Sequence, residues 1–582
     1  MKHTNVKKDY FVSKMFRRLL FPSILSSLGF ALSDVADALV VGRRLGAMGL
    51  AAIGLCLPLY MLINIFTDGL ALGGSVRFSR FAGSGKGEQA RDCFNRVLRT
   101  ALGGGILFGL LVNLFAPQTL SILGAGAPGS ELYNTCISYV RILAAGTPLI
   151  MVNVVLNHFL RNDSKEGIAA RGFLAGNLTD VALNILFVLV FDLGAGGAAL
   201  STVIGSAVAI VCYLPGLTAK SGGFVQLGLP SPRPAEVAKC FGVGFSISVQ
   251  NLFALIFLLL INRTLLRLGG EGAVAVFDVV YNASFFILYL CEGTAEAAQP
   301  LVSTFSGEKS ERDCRTVLRL SLRTGLLLAG VAAALIFGLS EYVARLFGMD
   351  ADLLPMASRA LRIYCVGFAF LSFNILLSRY AQARANAGVA FGGVLLRNLI
   401  VLVPATVLCS LAGLDYVWFL FPVTEVVSFA LFAMIFAVSR RRSTLFDESR
   451  VLRLTVVDDL ASVGGMLDQC DEFCERQEAT PTQQYVVRLV SEEIVTSIIR
   501  NGISRVPDGR IRVTLLALPN GEFMLQILDN AVTRDFFSLR AKNDAGAGDF
   551  DIDEVSMLLI KKNAKTYQYR QCYGFNSLIV RI

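Results

Sequence analysis

Charge is scarce in this chain: Asp, Glu, Lys and Arg together make up 17% of 582 residues, and histidine occurs only twice. A water-soluble protein of this length normally carries charge at about a quarter of its positions. The twelve cysteines show no metal-ligand spacing. They read as small apolar packing residues, with Cys470 and Cys474 falling together on one helix by chance. No cleavable leader is visible either, because the charged N-terminus runs directly into a helix of full spanning length that serves as its own insertion signal. What the chain does have is apolar surface: 54% of its residues are apolar and the mean hydropathy is +0.60. It is a membrane protein.

A spanning helix needs ~20 mostly apolar residues. Twelve such windows precede residue 440, at roughly 16–40, 47–74, 94–115, 134–160, 168–191, 196–219, 237–264, 273–300, 317–338, 357–382, 388–410 and 415–438. Loop charge tests the count, since Lys and Arg accumulate on the cytoplasmic side. The N-terminus and every even-numbered loop are basic, through Arg77, Arg80 and Lys86, then Arg161 and Lys165, then Lys220, Arg233 and Lys239, then Lys309 and Arg312, then Arg379 and Arg384. Arg43/Arg44 and Arg263/Arg267 are exceptions in odd loops. Twelve spans with both ends cytoplasmic fit this pattern.

The membrane part is written twice. Residues 49–85 align without a gap on the stretch from Ala273, so that Ala51, Gly69, Phe81 and Gly83 face Ala275, Gly293, Phe305 and Gly307, always at an offset of 224. After a three-residue slip, Arg141, Gly146, Asn153 and Gly167 meet Arg362, Gly367, Asn374 and Gly388. Two parallel six-helix lobes related by an axis along the membrane normal are built for alternating access around a central cavity.

The stretch VADALVVGRRLGAMGLAAIGL resembles the first signature of the multidrug and toxic compound extrusion (MATE) transporters, in which an Asp precedes a Val-Gly-Arg turn and an Ala-rich second helix. YVRILAAGTPLIMVNVVLNHFLRNDS is similar to that family's fourth helix, GAGGAALSTVIG to its fifth-to-sixth connection, and EAAQPLVSTFSGE to the end of its eighth helix. The likeness covers residues 15 to about 440.

On that scaffold the acids inside the spans acquire roles. An ionised carboxylate facing lipid costs roughly 2.5–3.5 kcal/mol on translocon scales, so Asp34 and Asp37 must face a cavity or the solvated extracellular mouth. The resemblance puts the weight on Asp37, the Asp ahead of the Val-Gly-Arg turn, with Asp34 one turn back; together they read as a cation or proton site whose occupancy is coupled to shape. In GNLTDVALNILF, Asn177, Asp180 and Asn184 fall at i, i+3 and i+7, one helical stripe. Relatives resemble Asn, Asn, Asp here. The exchange of the last two keeps one negative charge but moves it about one turn, roughly 6 Å. Asp68 on the second span either completes this cluster or packs against a neighbour.

The second lobe holds its own acids, Asp278, Glu292, Glu296 and Glu425, with Glu292 and Glu296 an i, i+4 pair and Glu292 at the repeat position of Asp68. Relatives that use sodium carry acids in this lobe, and oxygen-bearing side chains suit a hard cation, so the coupling ion is a proton or sodium. His158, close to Arg161, reads as an interfacial hydrogen-bonding residue rather than a proton shuttle.

Beyond residue 443 the composition changes. The last 140 residues carry 16 basic and 20 acidic side chains, net near −4, which leaves the membrane part near +13. Alternation in VLRLTVVDD, RIRVTLLALPNGEFMLQILDN and KTYQYRQCYGFNSLIVRI predicts strands and hairpins, and helices are expected at about 459–478, 481–502 and 553–563. This order resembles the anti-sigma-factor kinases of the GHKL ATPase superfamily. VSEEIVTSIIRNG is similar to their Glu-to-Asn helix, with Glu493 at the base position but Ser497 where the magnesium-holding Asn belongs. LDNAVTRDFF resembles the adenine-reading loop, with Asp529 matched and Ala531 in place of a glycine. Ile552, Glu554 and Ser556 stand where a glycine-rich phosphate lid is expected, and phosphate binding through exposed backbone N–H groups needs those glycines. The tail therefore reads as a degenerate member.

These readings give an all-α membrane protein of twelve spans in two pseudo-symmetric lobes, residues 1–220 and 221–442, followed by a cytosolic α/β sandwich at 443–582 on a linker of roughly ten residues. The resemblance implies efflux of an organic, drug-like, cationic solute across a bacterial-type inner membrane. It implies no enzyme chemistry, no cofactor beyond the coupling ion, no nucleic acid, and a regulatory tail open to a cytosolic protein partner. Two alternatives remain: a lipid-linked precursor flippase of the same superfamily, and a membrane-anchored signalling protein that uses the tail.

Overall fold

The computed structural model describes residues 10–123, 128–218, 223–229, 233–347, 349, 351–442, 448–457, 461–501, 503, 506, 509–531 and 564–582. Some side chains inside the long helices fall outside that description, those of Asp34, Asp37 and Asp278 among them.

The first lobe begins with α1 (Tyr10–Gly83), a helical run of 74 residues containing Pro22 and Pro58. It continues through α2 (Gly87–Leu114), the short α3 (Ala116–Leu123), α4 (Glu131–Asn162), α5 (Glu166–Asn184) and α6 (Gly194–Tyr213). The second lobe repeats the series with α7 (Pro234–Gly307), α8 (Glu311–Gly338), α9 (Ser340–Leu346), α10 (Leu354–Cys365) and α11 (Phe368–Ala383), then α12 (Ala387–Leu395), α13 (Leu402–Ala412), α14 (Leu414–Val417) and α15 (Leu420–Arg442). Both α1 and α7 have 74 residues, and both α2 and α8 have 28. In α7 the helix breaks at Gly270, whose φ of 64° only glycine adopts without strain.

The duplication survives in backbone detail. Gly85 and Lys309, which share the 224 offset, take φ of 71° and 57° in the turns closing α1 and α7, and Ser164 and Ala385 take 63° and 54° in the turns closing α4 and α11. A left-handed residue costs roughly 1–2 kcal/mol without glycine, so the turn geometry has been kept in both lobes where the residue type has not.

Among the described residues ten helices are long and apolar enough to cross a membrane, or eleven if α10 and α11, bent by 47°, count as one span. The lobes meet where α1 crosses α7. A Cβ on Gly73 would lie 1.9 Å from the Cys240 carbonyl and one on Gly244 would lie 2.0 Å from the Gly69 carbonyl, so only glycine permits this backbone approach. These positions lie toward the end of the bundle that carries the four repeated turns, here termed the turn end.

A second compact unit comprises residues 444–582 together with segments 81–87 and 219–224. Its strands are β1 (Val451–Val457), β2 (Arg510–Ala517), β3 (Phe523–Asp529), β4 (Thr566–Cys572) and β5 (Phe575–Arg581), and α16 (Ala461–Arg476) and α17 (Pro481–Asn501) follow β1. The sheet is wholly antiparallel in the order β1-β2-β3-β5-β4. One face packs Leu515, Leu525 and Val580 against Cys470, Val490 and Ile494 of the two helices. The strands and both helices fall where the sequence places them, but β3 is buried at all seven positions and β5 at its first six rather than on alternate residues; the helix expected at 553–563 lies outside the described residues.

Candidate functional site

The second lobe holds a small, partly open cavity of about 30 Å³, whose lining includes Ser246, Gln250, Glu292, Asn374, Arg379 and Arg397. By that measure it holds roughly two waters. Its walls come from α7, α11, α12 and α15 and from the π-type turn Leu396–Val401 that continues α12. Arg379 donates from Nε and Nη2 to Glu292 Oε2 at 3.1 and 2.9 Å. Arg397 donates from Nε and Nη2 to Glu425 Oε1 at 2.9 and 2.6 Å, and Asn374 donates to the other oxygen of Glu425 at 2.7 Å. Both pairs are mostly buried, so removing either partner would leave a charge away from water without its counter-charge.

Glu296, one turn beyond Glu292, faces the first lobe instead. It ion-pairs with Arg161 of α4 and accepts from Ser27 Oγ of α1 at 3.3 Å. Arg161 in turn donates to Asn157, which donates to the Tyr213 hydroxyl at 3.0 Å, so a polar chain runs from the second lobe into the core of the first. His158 lies within electrostatic reach of both Glu296 and Arg161. A second tie between the lobes joins Arg77, near the end of α1, to Glu236 in the first turn of α7. The lobes are thus bound together at the turn end by two ion pairs and by glycine-mediated backbone contact.

In the first lobe Asn177, Asp180 and Asn184 lie on α5, with Asp180 and Asn184 buried. Asp180 packs over Gly205 of α6: a Cβ there would sit 3.0 Å from its own Cβ. The Asn177 side-chain nitrogen is buried without a hydrogen-bond partner among the described residues. Asp68 lies on α1 within electrostatic reach of Arg379 of the second lobe. The arrangement separates the acids rather than gathering them. Glu292, Glu296 and Glu425 each have their own arginine, and among the described residues no three His, Cys, Asp or Glu side chains come together as a metal site.

In the tail, Glu493 and Ser497 lie one turn apart on α17, and Ser497 is buried. Asp529 ends β3, where its Oδ1 accepts from Asn576 Nδ2 at 2.8 Å and from the Ala531 N–H at 2.9 Å. Burial pushes its pKa up to about 6, a rise that those two hydrogen bonds partly offset. The segment expected to hold a phosphate lid lies outside the described residues.

The partners that sequence reasoning missed are the arginines. Arg161 and Arg379 were counted as loop charges, yet both are tied into the bundle. Arg397 gave the clearest signal, a lone charge inside the apolar run 388–410, which requires a partner within the bundle.

A family model described as MatE matches residues 22–186 and 246–407, more than half of the chain. Among curated proteins, a "Multidrug export protein MepA" of Staphylococcus saprophyticus is 24% identical over 456 residues, covering 76% of this chain and 97% of that one. A protein of the same name from Staphylococcus aureus is 22% identical over 447 residues, with the same coverage. Among solved structures, the outward-facing conformation of a multidrug resistance MATE family transporter superposes with a TM-score of 0.69 at 23% identity, covering 73% of this chain and 96% of that one.

Proposed function

The chain belongs to the MatE family, and from that premise we propose that it is a secondary active exporter of drug-like organic solutes, driven by a proton or sodium gradient. As a member of a transporter family it is a multidrug efflux transporter and not an enzyme. The observation that carries the mechanism is the pairing of two repeat-related lobes that are tied at the turn end by side chains and close backbone contact, with polar groups held inside each lobe. Releasing Arg161 from Glu296 and Arg77 from Glu236 would let the lobes part at the turn end, which is the step alternating access requires.

The finer reading has twelve spans, with Tyr10–Gly83 contributing two, the turn end facing the cytoplasm, and Asp37 with Asp34, Asp180 and the flanking amides coupling ion movement to solute release. The tail is read as a degenerate GHKL-type domain that regulates transport or binds a cytosolic partner. Glu493 and Ser497 one turn apart on α17 support that likeness, and Ser497 in place of the metal-holding Asn argues against ATP hydrolysis.

The test is a solute panel in everted vesicles with proton and sodium gradients imposed separately. Efflux driven by one gradient, reduced to background by Asp37→Asn with the protein still folded, supports the reading. Normal export by Asp37→Asn at every pH removes Asp37 from the coupling site, and no gradient-driven movement of any solute defeats the efflux reading. For the tail, magnesium-dependent ATP turnover abolished by Glu493→Ala would overturn the regulatory assignment.

A further inference from the structure

We propose that the tail is a clamp: the helix-free face of its sheet grips the turn that closes α1, and because the tail is also tethered to the end of α15, the grip opposes parting of the lobes at the turn end. The proposal rests on the regulatory reading of the tail and names the segment through which it acts.

Turn 81–87 belongs to the same compact unit as the sheet. On β5, Leu578 and Val580 pack into the core shared with α16 and α17, so Ile579 between them and Arg581 beyond them point to the opposite face. Register sets Gln568 of β4 and Gln526 of β3 beside Ile579 on that face. In an antiparallel sheet such a face commonly meets water. Here Ile579, Gln526 and Gln568 are all buried. The turn supplies part of the cover: Gln568 Nε2 donates to the Ala82 carbonyl at 3.0 Å, Arg581 Nη2 donates to the Ser84 carbonyl, and a Cβ on Gly85 would lie 3.2 Å from Ile579 Cγ2. Both acceptors stand at the C-terminal end of α1, where carbonyls lack i+4 partners and the helix dipole favours a cation.

The duplication supplies an internal comparison. Lys309 holds the left-handed position of the second turn with φ of 57°, so the turn alone does not demand the glycine found at Gly85. At the same offset of 224, Ser84 and Gly87 face Glu308 and Glu311. The first turn has been trimmed to small residues where the sheet lies against it. The other anchor is covalent, since only residues 443–450 separate the end of α15 at Arg442 from β1. Successive spans alternate in direction, which brings α15 to its close at the turn end. A tail fixed to the second lobe by the chain grips the first lobe's turn at high effective concentration, so the grip needs little intrinsic affinity.

Two native thiols report the opening. Cys93 of α2 and Cys240 of α7 are buried with their sulfurs 3.8 Å apart, one in each lobe, and react with N-ethylmaleimide when the lobes part. Their alkylation rates are measured by peptide mass spectrometry in the purified full-length protein in detergent, with Cys314 of α8 and Cys470 of α16 as buried controls. Gly85→Lys gives the first turn the residue that the second already carries, and Arg581→Gln removes the charged donor. Each should speed alkylation of Cys93 and Cys240 roughly fivefold, the change that losing one net hydrogen bond produces. The double variant should react no faster than the faster single one, because both release the same grip. Unchanged rates in both single variants, effects that multiply in the double variant, or acceleration shared equally by Cys314 and Cys470 overturns the clamp. Export is read separately in vesicles. Faster alkylation with an unchanged export rate would sink the regulatory reading and leave the clamp standing.

Discussion

Arg77 Nη2 lies 2.6 Å from Glu236 Oε2, joining the end of the first lobe's long helix to the opening turn of its repeat counterpart. A charge pair so placed favours the closed turn end over any state in which α1 and α7 have separated there. Glu236→Gln keeps the size of the side chain and removes the charge, so the closed state should lose population.

The cysteines supply a native reporter of that population. Cys93 Sγ of α2 and Cys240 Sγ of α7 are 3.8 Å apart, one from each lobe. Mild oxidation should cross-link them in the closed state, detected as a disulfide-linked peptide by mass spectrometry, and should slow transport. Glu236→Gln should lower the cross-linking rate severalfold. Unchanged cross-linking in that variant would show that the ion pair does not bias the opening.

Arg161 and Glu296 test a buried pair in the same place. Removing one partner of a buried pair typically costs 3–5 kcal/mol, whereas replacing both with apolar residues of similar volume is often neutral. Arg161→Ala should therefore lower thermal stability in detergent far more than the double change Arg161→Met with Glu296→Leu. Equal losses for the two would mean that the pair sits in water.

The exchanged stripe on α5 makes its own prediction. If Asp180 supplies the charge that relatives carry one turn later, Asp180→Asn should abolish gradient-driven efflux, and adding Asn184→Asp should recover part of it. Mild and equal phenotypes in vesicles would reduce the stripe to interhelical packing.

Asp529 predicts how the tail responds to pH. Its folded pKa, about 6, stands above the 3.8 of an unperturbed Asp, so the folded tail holds the proton more tightly than the unfolded chain. The destabilisation from burying its charge is complete above pH 6 and is relieved as pH falls toward 4. It amounts to at most about 3 kcal/mol, from roughly two pKa units at 1.36 kcal/mol each. Hydrogen-exchange protection of β3 and β5, corrected for intrinsic rates, should rise between pH 7 and pH 5 in the full-length protein. Asp529→Asn should remove that slope.

The sequence made the fold largely legible because hydropathy and repetition are local or periodic signals. The 224 offset found in the letters reappears as matched helix lengths and as matched left-handed turns at Gly85 and Lys309. The site was less legible because its defining relationships are distant in the chain. Arg379 and Glu292 are 87 residues apart and Arg161 and Glu296 are 135 apart, and no pattern within a window connects them. Counting positive loop charge even concealed them, since an arginine that anchors a helix end and one that neutralises a buried acid look the same in a string of letters.

The separation of Arg161 from Glu296 also bears on how the protein is made. During synthesis α4 emerges 135 residues before the acid that neutralises its guanidinium. Until the second half of α7 arrives, Arg161 has to remain at headgroup level or be shielded by another protein. The first lobe is therefore an incomplete object at birth, and maturation of the two halves is a joint event. A first lobe expressed alone should be held by quality control or degraded, and should recover when the second lobe is supplied as a separate chain.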